Sequence, residues 1–409
     1  MSGDPRQMIF RPAEILLPVG DLRRWSVVAC DQFTSDGEYW AEADRFVGDA
    51  PSALRIMLPE YYLGRCDEEA AAQRIRDTMR QYLCRGVFHS LPETVVYVER
   101  TLACGAIRCG LVGMIDLEAF DYAPCSESPI RATEHTVETR LPPRVKIRRE
   151  AVLEMPHIML FLNDEADVVM QRAREAAGEV LYDFNLMGGG GHLRGRRISG
   201  ETACGIAEQI SKTGGAMRLA VGDGNHSLAA AREYWLEKKQ TLTPAQQASD
   251  PARFALSELV NIHDPAIGFE PIHKVLFETD PAAALDELGG ALASLSGDAD
   301  TCHTLRLVTA AGERELTVRG LTIGQLIGAA EDACQQYLAR HGGKIDYIHN
   351  DDTAIGMGRR PDGAAILLPR MEKGELFPSI VRSGPFPKKS FSIGHAQDKR
   401  YYLECRKIR

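Results

Sequence analysis

The chain is 409 residues long, with 44% hydrophobic residues, 26% charged residues and a formal net charge of −9. This composition is typical of a globular protein of two or three domains, or of one elaborated domain, and the acidic balance argues against nucleic-acid binding, which depends on lysine and arginine. No stretch reaches the roughly 18 apolar residues of a membrane-spanning helix, and MSGDPRQMIF lacks the features of a signal peptide. We therefore expect a cytoplasmic protein without a membrane partner.

The ten cysteines are scattered along the chain without any C-x-x-C pair. Zinc sites and disulfide frameworks need closely spaced or paired cysteines, so this spacing argues against both. We expect most of the cysteines to be reduced residues of the core.

The first half of the chain mixes strand and helix patterns. A buried-strand pattern covers 25–30, and an amphipathic helix with acidic residues in its first turn is predicted over 67–85. The further predicted elements are strands 93–100, 106–117 and 156–164, helix 165–177, a hairpin around the glycines of 188–191, helix 201–213, strand 217–222 and the helix that follows it.

The second half repeats this mixture. We predict a hairpin from 254–262 and 268–277, and a second hairpin over 302–318 that turns at Gly312. Asp280 and Pro281 mark the N-cap and first position of one helix, and Gly342 ends another that begins near 323.

The irregular alternation of helices and antiparallel hairpins indicates an α+β (mixed α/β) fold rather than a doubly wound sheet. There is no internal repeat and no linker-like tract. We predict an N-terminal α+β region over 1–250 and a C-terminal α+β region over 251–409, with a single interleaved unit as the alternative.

The most informative segment is GDGNHS, residues 222–227, which we call the GDGNHS turn. It lies between a predicted strand and a predicted helix. Gly222 and Gly224 permit positive φ and a close approach of the backbone, so the free amides of a helix start become available to an anion. Asn225, His226 and Ser227 add side-chain donors, and the turn is therefore a candidate phosphate or carboxylate site.

Asp223 leaves three alternatives open, because a carboxylate beside a phosphate is repulsive. It helps to hold Mg²⁺, acts as a base toward a hydroxyl, or caps the helix. His226 argues against a simple cap, since a cation at a helix start opposes the helix dipole. The glycines of 188–191 are interpreted as a hairpin turn rather than a ligand loop.

The GDGNHS turn resembles the D-G-H-H-R strand-turn-helix motif of the ParB and sulfiredoxin-like superfamily, which includes the free serine kinases. Over nearly its full length the chain is identified as a member of a domain-of-unknown-function family, DUF1015. The stretches that carry this resemblance are FRPAEILLP, VVACDQFTS, RATEHTVETR, EMPHIMLFL and EPIHKVL. The resemblance implies a ParB/sulfiredoxin-like core with large insertions and further C-terminal elements.

The resemblance also implies that the turn binds the phosphates of a nucleotide, ADP or ATP, with Mg²⁺. Asp223, Gly224 and His226 match the motif, whereas Asn225 and Ser227 replace its second histidine and its arginine. Loss of the arginine removes a phosphate clamp, so either another cation serves, with Arg131, Arg144, Arg148 or Lys274 as candidates, or the chemistry differs. His273 and Lys274 could together direct a donor and a charge at the anion. The acidic residue that deprotonates the acceptor hydroxyl would be Asp31, Glu14 or Glu134.

Three functions follow from this resemblance. The first is phosphoryl transfer involving a small hydroxylated metabolite such as serine or phosphoserine, which would place the protein in serine metabolism. The second is a phosphatase that removes phosphate from phosphoserine, and the third is a non-catalytic nucleotide- or metabolite-binding switch. We expect a small-molecule substrate and a homodimer.

The remaining candidates have weaker patterns. Arg131 and Glu134 are three residues apart and would share a helical face. HNDD at 349–352 and GHAQD at 394–398 combine carboxylate and imidazole groups as a metal site would, although both lie in turn-like sequence. The basic C-terminal stretch is predicted to cover a site or another subunit, with Lys388 and Lys389 near the anion.

Overall fold

The computed structural model describes residues 8–155 and 157–409. Residues 1–7, part of the segment inspected for a signal peptide, and Pro156, the first residue of a predicted strand, lie outside the described residues. Within those ranges no helix is both long enough and apolar enough to cross a membrane.

The strands are short except for two in the N-terminal half. In chain order they are β1 (Phe10–Arg11), β2 (Ala13–Pro18), β3 (Phe88–Thr101), β4 (Ile107–Asp116), β5 (Phe120–Asp121), β6 (Ile130–Ala132), β7 (Leu153–Glu154), β8 (Met159–Leu162), β9 (Val180–Asn185), β10 (His192–Ser199), β11 (Leu219–Asp223), β12 (Phe254–Asn261), β13 (Phe269–Pro271), β14 (His273–Phe277), β15 (Cys302–Thr309), β16 (Gly312–Arg319), β17 (Lys344–Ile348), β18 (Ala364–Leu367), β19 (Phe391–Ile393) and β20 (Arg406–Lys407).

The helices alternate with these strands. In chain order they are α1 (Leu22–Trp25), α2 (Gly37–Val47), α3 (Glu68–Cys84), α4 (Leu141–Glu150), α5 (Val168–Ala176), α6 (Gly200–Lys212), α7 (Asn225–Lys239), α8 (Pro244–Ser249), α9 (Pro281–Ala293), α10 (Ile323–His341), α11 (Asp351–Gly358) and α12 (Leu376–Ser383).

Two main sheets organise the chain. The larger has the order β5-β6-β11-β8-β12-β4-β3-β10-β9, with β1 beside β4 and β2 beside β3, and the smaller has the order β16-β15-β18-β14-β17. In the larger sheet β11 is parallel to β6 but antiparallel to β8, so the sheet is mixed. The predicted α+β, mixed α/β class is confirmed. The ParB/sulfiredoxin-like core stays a prediction, as does the boundary at residue 250, after which β12 still belongs to the larger sheet.

The strand before the GDGNHS turn and the helix after it are both buried. Strand β11 runs through the larger sheet, and α7 turns Leu228 and its neighbouring alanines into the core. The small alanine side chains allow the helix to pack closely, and α4 packs against it. The turn between β11 and α7 is therefore held on both sides by buried elements.

Most predicted helices and two predicted hairpins are confirmed. Helix α3 begins after Asp67, whose side chain accepts a hydrogen bond from Ala70, and α9 is capped in the same way by Asp280. The glycines of 188–191 connect β9 to β10, and Gly312 begins the second strand of the β15–β16 hairpin. Caps and tight turns are local features, which is why the sequence predicts them well.

Four other predictions are wrong. Residues 25–30 are not a strand: Trp25 ends α1, and the buried chain after it makes only an isolated bridge, Val28 with Tyr401. Segments 254–262 and 268–277 do not form a hairpin, because β12 pairs with β4 and β8 whereas β14 pairs with β17 and β18. An apolar run shows that a segment is buried, but not which strand it joins.

Arg131 and Glu134 do not share a helical face either, since Arg131 lies in strand β6 and Glu134 follows it. The cysteines are free, as expected, but six of the ten are exposed. Only Cys109, Cys334 and Cys405 are buried. The expectation of a mostly buried set therefore fails, because spacing indicates redox state better than burial.

Candidate functional site

A polar cavity of about 520 Å³ opens where β11 ends. It is lined by Cys30, Asp31, Thr34, Glu60, Glu134, Arg140, Arg144, His157, Asp223, Gly224, Asn225, His226 and Ser227. The structure thus brings together most of the GDGNHS turn, three of the predicted acidic or basic partners from other segments, and residues that the sequence did not single out.

Gly224 makes the sharp turn from strand to helix. It is the N-cap of α7 with a φ of +81°, a conformation that favours glycine. A Cβ at this position would lie 3.1 Å from both Cα and Cγ1 of Ile158. The first backbone amides of a helix have no acceptors within it, so those of residues 225–227 begin at the cavity wall, as an anion site requires.

Gly222 has a different reason to be glycine. It does not adopt a positive φ, which corrects the conformational part of the prediction, and a Cβ there would lie 2.6 Å from the Phe161 ring. Phe161 is fully buried and packs edge-on against Phe269. The glycine therefore leaves room for an aromatic side chain of the core.

We expect Gly222→Ala to lower the free energy of unfolding by about 1–3 kcal/mol, the usual effect of overpacking a core. Chemical denaturation would measure this, and Phe161→Leu in the same chain should make the two losses less than additive. Gly215→Ala is the matched control, because nothing lies within 4 Å of its added Cβ. A Gly222→Ala protein of unchanged stability that no longer binds phosphate would contradict this steric role.

Asn225 joins two elements of the site. Its side-chain oxygen accepts a hydrogen bond from the Thr133 amide at 3.2 Å, and its Nδ2 donates to Thr133 Oγ1 at 3.3 Å. Thr133 Oγ1 in turn donates to the carbonyl of Val221 at 2.6 Å. The side chain of Asn225 thus fixes the end of β6 against the start of α7. The contact of Asn225 with phosphate stays a prediction, and it now concerns the backbone amide rather than the side chain.

His226 is a neutral hydrogen-bonding group rather than a cation. Burial and the nearby charges of Arg144, Arg140 and Lys388 lower its pKa to about 4, against a smaller opposite effect of Asp31. Its Nε2 accepts a hydrogen bond from the Val137 amide at 3.2 Å, so the proton of the neutral ring is on Nδ1. A neutral histidine also removes the objection that a cation would oppose the helix dipole.

Three carboxylates approach the cavity from different segments. Asp223 accepts a hydrogen bond from the Gly224 amide at 2.9 Å, Glu134 follows β6, and Asp31 lies in the loop after the buried 27–29 segment. Burial and the charge of Asp223 raise the pKa of Glu134, whereas the backbone of Lys389 and the side chains of Lys399 and Lys388 lower it. A carboxylate whose pKa is raised in a polar cavity is a reasonable candidate for a general base.

Lys399 supplies a cation that the sequence analysis did not single out. Its Nζ lies 3.5 Å from Asp223 Oδ2, and both side chains are less than one-fifth exposed, at 17% and 18%. Arg100 donates to the carbonyls of Gln397 and Lys399, and Arg108 donates to that of Asp398 at 3.1 Å. These buried guanidinium groups hold the segment that carries Lys399 against the larger sheet.

Two segments rich in lysine and arginine, residues 131–149 and the last forty residues of the chain, meet at this cavity. Arg140 and Arg144 come from the first, and Arg144 forms an ion pair with Glu60 while it donates to the Arg140 carbonyl at 3.0 Å. Lys388 and Lys399 come from the second segment. The charge of Lys388 lowers the pKa of His226, and both lysines lower the pKa of Glu134. The backbone at Phe386 also pairs with residues 133–135, which places the C-terminal stretch beside the site, as predicted.

Ser227 contacts a histidine from the segment that precedes β8. Its Oγ lies 3.3 Å from Nε2 of His157, whose Nδ1 lies 3.2 Å from the hydroxyl of Tyr402. The sequence analysis quoted the stretch that contains His157 but did not propose a role for it, and Tyr402 carried no recognisable signal. Asp31 Oδ2 is 3.9 Å from the same His157 nitrogen.

Five predicted residues lie elsewhere. Arg131 is buried and donates to the Ser128 carbonyl, Arg148 pairs with Glu154, and Glu14 accepts a hydrogen bond from Ser90. His273 and Lys274 lie on β14 of the smaller sheet, and Lys274 is fully buried against Glu331. Each of these side chains has a structural partner outside the cavity, which the spacing along the chain could not show.

The structure gives no support to the two turn-like metal patterns. Asp398 of GHAQD caps the backbone of His395, and Asp351 of HNDD pairs with His273. Throughout residues 8–155 and 157–409, no group of three or more His, Cys, Asp or Glu residues is arranged to hold a metal ion. The proposed Asp223 metal contact would therefore need ligands from the substrate.

A family model described as "Protein of unknown function (DUF1015)" matches residues 10–355, most of the chain. The chain belongs to the DUF1015 family. Within this family member, the GDGNHS turn lies inside the matched range, whereas Lys399 and Tyr402 lie beyond it. A search of the curated proteins finds no match.

Three solved structures are similar to this chain at low sequence identity. A free serine kinase in complex with AMP is 11% identical over 72% of this chain and 91% of its own, with a TM-score of 0.37. A conserved hypothetical protein from Pyrococcus furiosus is 10% identical over 72% and 94%, with a TM-score of 0.35. SbnI with C-terminal truncation from Staphylococcus aureus is 8% identical over 69% and 82%, with a TM-score of 0.35.

Proposed function

We propose that this DUF1015 protein is a phosphotransferase that moves a phosphoryl group between a nucleotide, ADP or ATP, and a small hydroxylated metabolite. The observation that carries the proposal is one polar cavity that is lined by a helix start and several carboxylates, one of which, Asp223, forms an ion pair with Lys399. Phosphoryl transfer depends on positioning and charge stabilisation, and these groups supply both.

The residues divide naturally between phosphate binding and proton transfer. The amides of residues 225–227 and the Nδ1–H of His226 would donate to phosphate oxygens, and Lys399 would supply the positive charge that the missing motif arginine provides elsewhere. Glu134 and Asp31 are the candidates to accept the proton of the acceptor hydroxyl.

Mg²⁺ fits this site only with help from the ligand. Asp223 and Glu134 are close enough for the charge of one to raise the pKa of the other, and together they offer the one or two carboxylates that Mg²⁺ usually takes from a protein. The other ligands would be phosphate oxygens and water. The ion would neutralise charge that develops on the transferred group.

Serine is the first acceptor to test, because the turn resembles that of the free serine kinases. A hydrolytic reaction on phosphoserine would use the same phosphate contacts with water as the acceptor. A protein that binds a nucleotide without turnover would also use those contacts, so an experiment must follow binding and chemistry separately.

We expect the purified protein to form phosphoserine when it is incubated with Mg²⁺, serine and either ATP or ADP. Phosphorus-31 NMR would measure the phosphoserine that forms. Phosphoserine alone tests the hydrolytic direction. His226→Ala should weaken stabilisation by the nucleotide and lower turnover by roughly tenfold, the effect of a hydrogen bond of about 1.5 kcal/mol.

His303→Ala is the control, because this histidine lies on β15 of the smaller sheet. The proposal fails if wild-type protein turns over none of these compounds and His226→Ala leaves thermal stabilisation by every nucleotide unchanged. Stabilisation without turnover would instead identify a non-catalytic nucleotide-binding protein.

A further inference from the structure

Ser227 combines two features of a covalent nucleophile. Its hydroxyl lies 3.3 Å from Nε2 of His157, and both residues line the cavity. It is also in the first turn of α7, a helix of 15 residues, where the backbone amides favour a negatively charged group. A hydroxyl paired with an imidazole is the usual arrangement for activating serine.

The imidazole of His157 is itself held by a third group. Nδ1 lies 3.2 Å from the hydroxyl of Tyr402, which accepts a hydrogen bond from the Cys30 amide at 3.2 Å and also contacts the Cys30 thiol. If the tyrosine proton is directed to that sulfur, its oxygen accepts both the Cys30 N–H and the His157 Nδ1–H. The tyrosine hydroxyl then donates one hydrogen bond and accepts two. Nε2 of His157 carries no proton and is left as an acceptor for the serine proton.

Asp31 approaches the same nitrogen of the His157 ring as Ser227. Its Oδ2 is 3.9 Å from Nε2 of His157, and the imidazole is buried, with 7% of its side chain exposed. A buried imidazolium needs a nearby negative charge, and the Asp31 carboxylate provides one once the ring accepts a proton. The group of Ser227, His157, Tyr402 and Asp31 therefore has the elements of an activated serine.

We infer that Ser227 is a covalent phosphoryl acceptor, so that transfer proceeds in two steps through a phosphoserine in the protein. In the first step Oγ of Ser227 attacks phosphorus, the bond from phosphorus to the nucleotide oxygen breaks, and the nucleotide leaves with that electron pair. The serine proton passes to Nε2 of His157. This inference rests on the proposed phosphotransferase function, and it replaces direct transfer with a two-step route.

The second step reverses the roles of the same groups. An acceptor hydroxyl attacks the phosphorus, its proton passes to the Asp31 carboxylate, and the bond to Oγ breaks. The serine oxygen keeps the electron pair and recovers the proton from His157. Between the steps the phosphoryl group would lie at the start of α7, near the cation of Lys399 beside Asp223.

The inference also accounts for the departure from the D-G-H-H-R motif. An arginine at residue 227 would clamp a phosphate that remains on the nucleotide. A serine at residue 227 places a nucleophilic oxygen at the same position, with His157 in hydrogen-bond reach. The change of side chain is therefore a change from holding the phosphate to accepting it.

The test uses the full chain with three probes: ATP and ADP, each labelled at the terminal phosphate, and a small ester, p-nitrophenyl phosphate. After an acid quench, intact mass and peptide mapping should show one phosphoryl group on Ser227. Ser227→Ala should abolish the labelling, and His157→Asn should slow it roughly a hundredfold, the effect of losing a general base. Ser249→Ala, a change of an exposed serine on α8, should leave labelling unchanged.

Absence of label with every probe overturns the covalent route, as does label that maps to another residue. Mapping on the wild-type chain decides this even if a variant fails to fold, which thermal unfolding would reveal. Turnover measured in the same samples keeps the two proposals apart. Normal turnover by Ser227→Ala contradicts the covalent step and leaves the phosphotransferase proposal intact. Absence of any turnover by the wild-type protein contradicts the phosphotransferase proposal itself.

Discussion

Lys399→Ala should lower kcat/KM for phosphoryl transfer by roughly ten- to a hundredfold, because a charged hydrogen bond contributes about 1.5–3 kcal/mol. The lysine is the cation next to Asp223, and the charge of Asp223 already acts on Glu134. Without the lysine, these carboxylates would repel an incoming phosphate. Steady-state kinetics at fixed Mg²⁺ would measure the loss.

The same substitution should change the pH dependence of the rate. Burial and Asp223 raise the pKa of Glu134, and Lys399 is among the groups that lower it. In Lys399→Ala this pKa rises further, so Glu134 is protonated at a higher pH. A rate that depends on ionised Glu134 should therefore begin to fall at a higher pH than in the wild-type protein as the solution is acidified. Lys399→Arg keeps the charge and should retain part of the activity.

Lys407→Ala is the matched control, because Lys407 is an exposed lysine of the same C-terminal stretch. Its rate should equal that of the wild-type protein. If Lys399→Ala and Lys407→Ala have the same kinetics, Lys399 does not serve the reaction and its contact with Asp223 is only structural.

Arg400→Met should lower the free energy of unfolding by about 3–5 kcal/mol, the usual effect of removing one partner from a buried ion pair. Arg400 pairs with Glu258 and Glu404, and all three side chains are at most 5% exposed. The substitution would leave two buried carboxylates without this counter-charge. The substitution should also make the C-terminal stretch that carries Lys399 less firmly held.

The acid sensitivity of the protein should change with it. Burial alone would raise the pKa of Glu258, but the charges of Arg400 and Arg108 outweigh burial and hold that pKa below its usual value. Such a group stabilises the fold above its unfolded pKa of about 4.3, and this stabilisation is lost as the pH falls through the folded pKa. In Arg400→Met the folded pKa rises, so less stability should be lost on acidification.

Denaturant unfolding at several pH values measures both effects. Arg370→Met is the control, since Arg370 forms an exposed pair with Glu270 and the expected loss is about 1 kcal/mol or less. A loss for Arg400→Met as small as that of Arg370→Met would show that the buried network does not hold the C-terminal stretch.

Local chemistry made much of the fold predictable. The N-caps Asp67 and Asp280, the turn at Gly312 and the positive φ of Gly224 each depend on a few adjacent residues, and the structure agrees with all of them. The pairing of strands was not predictable in the same way. Strand β12 lies between β4 and β8 because of contacts between residues far apart in sequence.

In the candidate site, too, local features were predictable from the sequence and contacts between distant segments were not. The sequence alone determined that residues 222–227 form a strand-to-helix turn with backbone amides available to an anion, because glycine conformation and helix geometry act within a few residues. Only the tertiary structure placed His157, Tyr402 and Lys399 beside that turn and moved Lys274 away from it. A charge or a ring acquires its partner from distant segments, and burial then decides whether that partner holds the fold or faces the cavity.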